Sequence, residues 1–474
     1  MQSYPMIING QPVLTEALLD VINPATGRPF AQVAAGDAQH AELAIAAAKA
    51  AFPGWSRRPD AERRELLHVL AGLLETHMPE LMQLVTQESG KPLDGLNHVG
   101  SGMEVGGAMV WTRATAALDI PVDLIQDNAQ ARVEVHRKPL GVVASITPWN
   151  WPLMIAIWHI MPALRAGNTV VIKPASLTPV ATLRFIALAN QVLPAGVLNV
   201  ITGDREVGGV LTSHPDVAKV VFTGSTPTGR HIMSSAAPTL KRLTLELGGN
   251  DAGIVLPDAD PKAIAPRLFG VAFHNNGQTC ACLKRLFVHE SIYEELCAEL
   301  ARLAREVVVG DGLKPETQLG PVQNPAQRLL VHGLVEEARA KGARVLAGGE
   351  FLAGEGFFYA PTVIADACEG MRVVDEEQFG PVLPVIRYRS IEQALEQANR
   401  GENGLGGSVW SGNLALATEI AQRLECGTAW VNDHGALQPD APFGGIKQSG
   451  LGTEFGLYGL EEFMNLQTVK VVKG

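Results

Sequence analysis

Residues 142–176 read VVASITPWNWPLMIAIWHIMPALRAGNTVVIKPAS, and this stretch decides the fold class. The run from Val142 to Ile146 predicts a buried strand, residues 153–166 predict a helix, and residues 169–172 predict a second strand. A strand, a helix and a strand in this order form a right-handed βαβ unit with a parallel sheet. Residues 139–164 carry no charged side chain and are long enough to span a bilayer, but three prolines, an asparagine and a histidine interrupt them. We therefore predict a buried strand, loop and helix.

Helical periodicity precedes this unit. It covers residues 37–52 and 60–89, and Pro53-Gly54 predicts the break between the two segments. The second segment is either one helix or two helices with a break near Pro79. Asp37 and Asp60 are the expected caps, because a short acidic side chain accepts from the free amides of a first turn.

The alternation continues after the unit, with one helix opening at Thr178-Pro179 and another at Thr226. These segments predict two α/β domains with a cleft between them. Residues 131–136 and 466–472 also alternate in hydropathy, and such remote strands pair as an accessory sheet or across a subunit interface. Further strands are predicted at residues 197–201, 220–222, 243–247, 253–256, 286–289, 343–347, 382–388 and 429–431.

The composition is that of a globular protein with more than one domain. The chain has 474 residues, of which 46% are hydrophobic, and its formal charge of −11 offers no positive field for a nucleic acid. The N-terminus lacks the layout of a signal peptide, and we expect no membrane anchor. The chain has five cysteines, an odd number, and none has C-x-x-C spacing, which indicates a reducing, cytoplasmic location. The cysteines are Cys280, Cys282, Cys297, Cys368 and Cys426.

The segment FTGSTPTGR, residues 222–230, runs from a strand into a helix through a turn rich in glycine and hydroxyl groups. Ser225 or Thr226 can cap the helix and Pro227 suits its first turn, which leaves amide donors for a phosphate. The segment is neither G-x-G-x-x-G nor a P-loop. The alternative is a well-capped surface helix.

Three residues are candidates for chemistry. Cys280, in HNNGQTCACLKR, is either a nucleophile or an inert core thiol, and with Cys282 it lacks the further ligands of a metal site. Glu246, in RLTLELGG, ends a predicted strand, where a carboxylate is either a base at a ligand site or part of a solvated face. Asn150, in TPWNWP, either satisfies backbone groups or donates to an oxyanion.

Together these motifs resemble the aldehyde dehydrogenase superfamily over essentially the full chain. The resemblance implies an α/β fold with two parallel-sheet domains, a Rossmann-like cofactor domain and a catalytic domain, plus a small β oligomerisation arm. It assigns residues 1–120 and 140–248 to the cofactor domain, 249–445 to the catalytic domain, and 121–139 and 460–474 to oligomerisation strands. The matching segments, in order, are TPWNWP, GNTVVIKPAS, FTGSTPTG, LELGG, GQTC, EEQFGPVLPV and PFGGIKQSGLG.

The resemblance also implies roles for individual residues in oxidising an aldehyde to a carboxylic acid through a thiohemiacetal and a thioester. Cys280 would be the nucleophile, Asn150 the oxyanion donor together with the Cys280 backbone N–H, and Glu246 the general base, with Glu454 lining the water and proton path. The implied cofactor is NAD or NADP, and the implied assembly is a homodimer or homotetramer. The residues expected around the cofactor are Thr147, Pro148, Trp149, Lys173, Ser176, Gly203, Phe222, Gly224, Ser225, Glu377 and Phe379.

Three positions depart from the family pattern. Ser176 stands where many NAD-preferring members have Glu. Without that carboxylate nothing here repels the 2′-phosphate of NADP, so use of NADP is credible. The alternative is that Ser176 only caps the next helix. His159 stands where a Lys is usual in the proton path, and Thr453 where an Arg is usual. The first bears on the pH profile and the second on a local salt bridge or interface contact.

The expected substrate tunnel is large and mostly apolar, without an evident Arg or Lys to hold an anionic group. We expect an aromatic or medium-chain aliphatic aldehyde; an amino aldehyde or a semialdehyde is the alternative. Three other functions are less consistent with these residues. A CoA-acylating enzyme would not need Glu246 as a base, and a thioesterase- or esterase-like hydrolase would not use the phosphate-binding turn. The third is a non-catalytic structural protein. The expected tunnel residues are Trp151, Met154, Trp158, Thr279, His434 and Leu437.

Overall fold

The computed structural model describes residues Met1–Gly474, and the fold is α/β as predicted. The first sheet has eight strands, and its five central strands are parallel while both edges are antiparallel. In spatial order the strands are Gly450–Leu451, Arg242–Glu246, Val217–Thr223, Val142–Ile146, Thr169–Lys173, Leu198–Val200, Met6–Ile8 and Gln11–Val13.

Both faces of this sheet are buried. Val143 and Val170 pack into a core of 40 residues on one face, whereas Val142, Ala144 and Val171 belong to a core of 19 residues on the other. Because neither face meets water, the strands read as continuous apolar runs instead of alternating ones. This explains the uncharged stretch in residues 139–164, which forms a buried strand, loop and helix as predicted.

The second sheet has seven strands and is parallel except for its first pair. A smaller sheet pairs Gln2–Tyr4, Arg28–Ala34 and Leu18–Asn23, and Asn403–Gly404 pairs with Ile446–Lys447. In spatial order the strands of the second sheet are Arg344–Ala347, Thr362–Ala365, Val382–Tyr388, Leu283–His289, Asp251–Val255, Gly406–Trp410 and Thr428–Val431.

The two remote alternating segments form an accessory sheet within the chain. Met464–Val472 pairs antiparallel with Ala131–Pro139, which pairs in turn with Asp123–Asp127. Every residue of the outer strand after Met464 is exposed, including Leu466 and Val471.

Helices cover the sheets, and none of them is both long and apolar enough to cross a membrane. They are Ala38–Ser56, Asp60–Thr76, Met78–Ser89, Ser101–Ala117, Pro152–Arg165, Val180–Ala189, Arg205–Ser213, Thr226–Ala236, Pro261–Phe273, Tyr293–Glu306, Pro325–Ala340, Arg372–Asp375, Ile391–Asn399, Leu414–Ala421 and Gly456–Glu461.

Two predictions about the first helices were wrong. Helix Ala38–Ser56 runs through Pro53-Gly54 instead of breaking there, because buried Trp55 anchors its last turn by donating from Nε1 to the Leu164 carbonyl at 3.3 Å. Asp60 is the first helical residue instead of the cap, and its carboxylate accepts from Arg63 and Arg165. Asp37 is a cap as predicted, accepting from the His40 amide. The five strands in residues 2–34 were not predicted, and for three of them the reason is that strands of three residues carry too little periodicity.

Candidate functional site

The carboxyl ends of the parallel strands in the first sheet meet at one edge, where ligands bind in open α/β sheets. Thr147 follows one strand and donates its backbone N–H to the carbonyl of Lys173, which ends the next, at 3.2 Å. The backbone N–H of Gly224, in the turn after a third strand, donates to the carbonyl of Glu246 at 2.9 Å. Residues from four predicted motifs therefore line a single edge.

Ser176 and Lys173 line a cavity of about 310 Å³ beside this edge. The Ser176 hydroxyl donates to the Gly203 carbonyl at 2.9 Å. It does not cap a helix, because the next helix is Val180–Ala189 and Pro179 is its N-cap residue. Burial lowers the pKa of Lys173, and the charge of Asp204 opposes that shift. Sequence reasoning missed two exposed basic residues of this cavity, Arg205 and His231, because no motif marks them.

The turn after Phe222 delivers free backbone donors to the same edge. Ser225 occupies the N-cap position of helix Thr226–Ala236, but its hydroxyl contacts the Thr228 hydroxyl at 3.0 Å and makes no capping bond. The predicted side-chain cap, by Ser225 or by Thr226, is therefore absent. The first-turn amides remain open to an acceptor such as a phosphate.

Glu377 and Phe379 reach the site from the second sheet. The Glu377 carboxylate accepts from the Gly249 amide at 3.2 Å, and the Phe379 ring lies edge-on to Trp149 with centroids 5.3 Å apart. Burial raises the pKa of Glu377 to about 7, against the opposing charge of Lys284.

The loop that carries Cys280 is held against the end of the Glu246 strand. It follows helix Pro261–Phe273, and Gly277 has φ +64° with the Gly380 carbonyl oxygen only 2.4 Å from where a Cβ would lie. A Cβ on Gly249 would come within 2.5 Å of the Cys280 carbonyl oxygen. Only glycine permits these approaches, so the Gly-Gly pair after Glu246 and the loop before Cys280 dock directly.

Asn150 and Trp151 join the first sheet to this loop. The Asn150 side-chain amide donates to the Gln278 carbonyl at 2.9 Å, and the Trp151 indole N–H donates to the Thr279 hydroxyl at 2.9 Å. Asn150 is buried and its amide has two N–H groups, so one remains for a further acceptor. The structure thus brings Asn150 beside the Cys280 loop across the interface between the two sheets.

Charge and burial act on both candidate reacting groups. Burial, with the charges of Glu377, Glu246 and Asp251, raises the pKa of the Cys280 thiol. Burial, with the charge of Glu454, raises the pKa of Glu246, whose two carboxylate oxygens are buried without a hydrogen-bond partner. Glu246 is 3% exposed, which rules out a solvated strand face. Burying a carboxylate without a hydrogen-bond partner costs free energy, and carboxylates with such a raised pKa are typical of functional sites.

Glu454, whose charge acts on Glu246, lies against a buried histidine. The Glu454 carboxylate lies 3.2 Å from His159 Nε2. His159 is fully buried, with Ser145 2.9 Å from Nδ1 and Thr223 3.0 Å from Nε2. Thr453, the other departure from the family pattern, is partly exposed.

A cavity of about 620 Å³ opens at Cys280, and all six predicted tunnel residues line it. Sequence reasoning missed the Trp111 indole, which lines the cavity 5.7 Å from Trp158, because no tunnel motif contains it. The Phe455 ring packs edge-on against Trp158 with centroids 4.7 Å apart. Sequence reasoning was also wrong about basic groups, because Arg267 lines the cavity, where it pairs with Asp433 at 2.8 Å. Arg267 lies on the same helix face as the other cavity-lining residues of its helix. The sequence does not show that this face borders the cavity, because that depends on how the helix docks.

Comparison with known proteins points to one enzyme family. A sequence model of the aldehyde dehydrogenase family matches residues 13–469. A phenylacetaldehyde dehydrogenase of Pseudomonas fluorescens is 40% identical, over 99% of this chain and 96% of the relative. The solved NAD+ complex of an aldehyde dehydrogenase from Bacillus cereus has a TM-score of 0.96 at 36% identity, covering 99% of this chain and 96% of that one. An NADP-dependent enzyme of E. coli has a TM-score of 0.96 at 35% identity, covering 99% and 98%.

Proposed function

The chain belongs to the aldehyde dehydrogenase family, and from this premise we propose that it oxidises an aromatic or medium-chain aliphatic aldehyde to the carboxylic acid with NAD or NADP. One observation carries the proposal: Cys280 opens into a large, mostly apolar cavity, the Asn150 amide is bonded to the Gln278 carbonyl of the same loop, and the charge of the unpaired Glu246 carboxylate acts on the thiol. These are the nucleophile, the oxyanion donor and the base that the reaction needs.

The residues at the sheet edge fit a dinucleotide. The Thr147 hydroxyl is buried without a partner, Lys173 Nζ has only the adjacent Pro174 carbonyl at 3.4 Å, and the helix at Thr226 begins without a side-chain cap. We propose that Lys173 and Ser176 hold the adenosine ribose, Trp149 and Ser225 the pyrophosphate, and Glu377 and Phe379 the nicotinamide ribose and ring, with Thr147, Pro148, Gly203, Phe222 and Gly224 around them. When bound, the cofactor supplies the acceptor for a hydride.

Cys280 forms the first bond. Its thiol loses a proton to water in the cavity that opens at Cys280, so the Glu246 carboxylate remains unprotonated for the later hydrolysis step. The sulfur adds to the aldehyde carbon, and the carbonyl oxygen becomes an oxyanion that accepts from Asn150 and from the Cys280 backbone N–H. Loss of one such donor costs about 2.7–4 kcal/mol of barrier. Departure of the hydride leaves a thioester on Cys280.

Glu246 then acts on water. The carboxylate takes a proton from the water as its oxygen adds to the thioester carbon, and the C–S bond breaks to release the acid and the Cys280 thiolate. Glu454, in contact with His159, lies where it can pass that proton onward.

The pH profile of thioester hydrolysis should depend on Glu454. Hydrolysis needs the ionised form of Glu246, so its rate falls as the pH drops through the pKa of that group. Glu454→Gln removes a like charge and lowers the pKa of Glu246, so we expect the acid limb of the profile to move to lower pH. Single-turnover hydrolysis rates across a pH series measure this. Glu402→Gln, at an exposed carboxylate, is the matched control, and an unmoved limb for Glu454→Gln would contradict the assignment.

The cavity supports an apolar substrate. Its volume of about 620 Å³ exceeds that of a small aldehyde. Trp111 and Trp158 line it, and the Phe455 ring packs edge-on against both indoles. Arg267 favours a second candidate, an aldehyde with a distal anionic group, although Asp433 offsets its charge. An amino aldehyde held by the aromatic rings is a third.

Initial rates of cofactor reduction test the function. We expect reduction with benzaldehyde and hexanal, and a lower kcat/KM for succinic semialdehyde. The opposite order would favour the anionic aldehyde. If the folded protein has a reactive Cys280 thiol but reduces neither cofactor, the hydrolase is favoured. If the folded protein has no reactive thiol, the non-catalytic structural protein is favoured.

Cofactor preference should depend on Ser176. Ser176→Glu introduces a carboxylate beside the position of a ribose 2′-phosphate, so we expect kcat/KM for NADP to fall roughly 10- to 100-fold relative to NAD. Ser176→Ala, which removes the hydroxyl without adding charge, is the control and should leave NADP use far less affected. An unchanged ratio for Ser176→Glu would show that this side chain does not select the cofactor.

We also propose that the chain assembles as a homodimer or homotetramer through the accessory sheet. Leu124, Ile125, Leu466 and Val471 are all more than half exposed on its strands. Exposed apolar side chains beside a free strand edge are typical of an interface. A solution mass of one chain, 50.4 kDa, would contradict this.

A further inference from the structure

A fully buried ion pair lies behind the turn that holds Asn150. Lys91 and Glu104 have no exposed side-chain surface, and Lys91 Nζ donates to the Glu104 carboxylate. Neither side chain lines the cavity at Cys280. The cost of desolvating two charges offsets most of their attraction, so stability alone does not explain the pair.

Lys91 holds the main chain of Asn150. Its Nζ donates to the Asn150 carbonyl at 3.1 Å and lies 3.3 Å from the centroid of the Trp151 indole. Asn275 Nδ2 donates to the same carbonyl at 3.0 Å, from the loop that carries Cys280. The cation therefore fixes the residue whose side-chain amide contacts that loop at the Gln278 carbonyl.

Glu104 holds the other end of the same turn. Its Oε1 accepts from the backbone N–H groups of Leu153 at 2.9 Å and Met154 at 3.3 Å, in the first turn of helix Pro152–Arg165. The N-cap residue Trp151 makes no side-chain capping bond, so a carboxylate from a different helix takes that position. The Lys91 cation thus holds the turn at the Asn150 carbonyl, and its partner Glu104 holds it at the amides of Leu153 and Met154.

We propose that Lys91 and Glu104 are positioning residues for the oxyanion donor. Together they set the position of the Asn150 amide relative to Cys280. An oxyanion donor acts only within about 2.7–3.1 Å of the developing charge, and a displacement of about 1 Å can cost roughly 100-fold in rate. The inference rests on the proposed function, in which Asn150 is that donor.

A double-mutant cycle tests the coupling. Lys91→Met, Asn150→Ala and the double variant are compared by kcat/KM for cofactor reduction and for hydrolysis of p-nitrophenyl acetate, an ester whose cleavage needs Cys280 and an oxyanion donor but no cofactor. We expect Lys91→Met to lower both values roughly 10- to 100-fold in the parent enzyme. In the Asn150→Ala background the further loss should stay within about twofold, because the amide that Lys91 positions is no longer there.

Matched variants separate positioning from folding. Lys219→Met removes another fully buried lysine, which donates to the Thr244 hydroxyl at 2.6 Å and makes no bond to Asn150, so any loss that it causes should multiply with the loss from Asn150→Ala. Glu104→Gln keeps an oxygen for the helix amides but removes the charge that faces Lys91. It should give the same non-additive pattern, and it replaces Lys91→Met in the cycle if that variant does not fold.

Each outcome distinguishes the two proposals. Losses that multiply across the cycle would overturn the positioning role alone. An Asn150→Ala variant that is as fast as the parent in both assays would overturn the oxyanion role, and the positioning role with it. Non-additive losses in the ester assay, without cofactor reduction by the parent, would support positioning and reject the dehydrogenase.

Discussion

Replacing Cys280 by alanine is expected to lower aldehyde-dependent cofactor reduction by at least about 10⁴-fold, because the sulfur forms both covalent intermediates. Alanine leaves the loop intact, since its backbone contacts with the segment after Glu246 do not involve the thiol. Steady-state rates, with the stoichiometry of thiol alkylation, measure the effect. The alkylation should lose one reactive group per chain.

The matched control is Cys282→Ala, two residues further along. That thiol is buried and lies 3.6 Å from His274 Nε2. We expect this variant to keep activity within a few-fold of the parent, because its thiol does not face the cavity. Full turnover by Cys280→Ala would exclude a covalent mechanism at this residue.

Replacing Glu246 by glutamine is expected to separate the two halves of the reaction. Glutamine has nearly the same shape but cannot take a proton from water, so thioester hydrolysis should slow by roughly 10²–10⁴-fold. Rapid mixing should then show a burst of up to one reduced cofactor per active site followed by slow turnover. The mass of the intact protein should increase by one acyl group, and this increase should be absent when Cys280 is alanine as well.

The same variant discriminates among the enzyme alternatives. In a CoA-acylating enzyme the thiol of coenzyme A removes the acyl group, so Glu246→Gln would turn over normally once coenzyme A is added. We expect coenzyme A to leave the parent rate unchanged. Steady-state turnover of Glu246→Gln at the parent rate would refute the role of Glu246 as base.

Much of the fold could be predicted from local pattern. The strands from Val142 to Glu246 carry apolar runs because both faces of their sheet are buried, and the helices between them carry their own periodicity. The wrong predictions came where a distant contact outweighs a local signal. Pro53-Gly54 does not end its helix, because Trp55 is anchored to Leu164. Asp60 does not cap its helix, because Arg63 and Arg165 take its carboxylate.

By itself the sequence determined the α/β class, the family and the chemical identity of the candidate reacting groups, since each is written in a short run such as GQTC or LELGG. Only the tertiary structure decided that Glu246 is buried and unpaired, that Trp111 and Arg267 line the cavity, and that Lys91 holds Asn150. The physical reason is that burial, the pKa of a carboxylate and the position of an oxyanion donor depend on side chains far apart in the sequence. Their meeting depends on how helices and sheets dock, which no local pattern records.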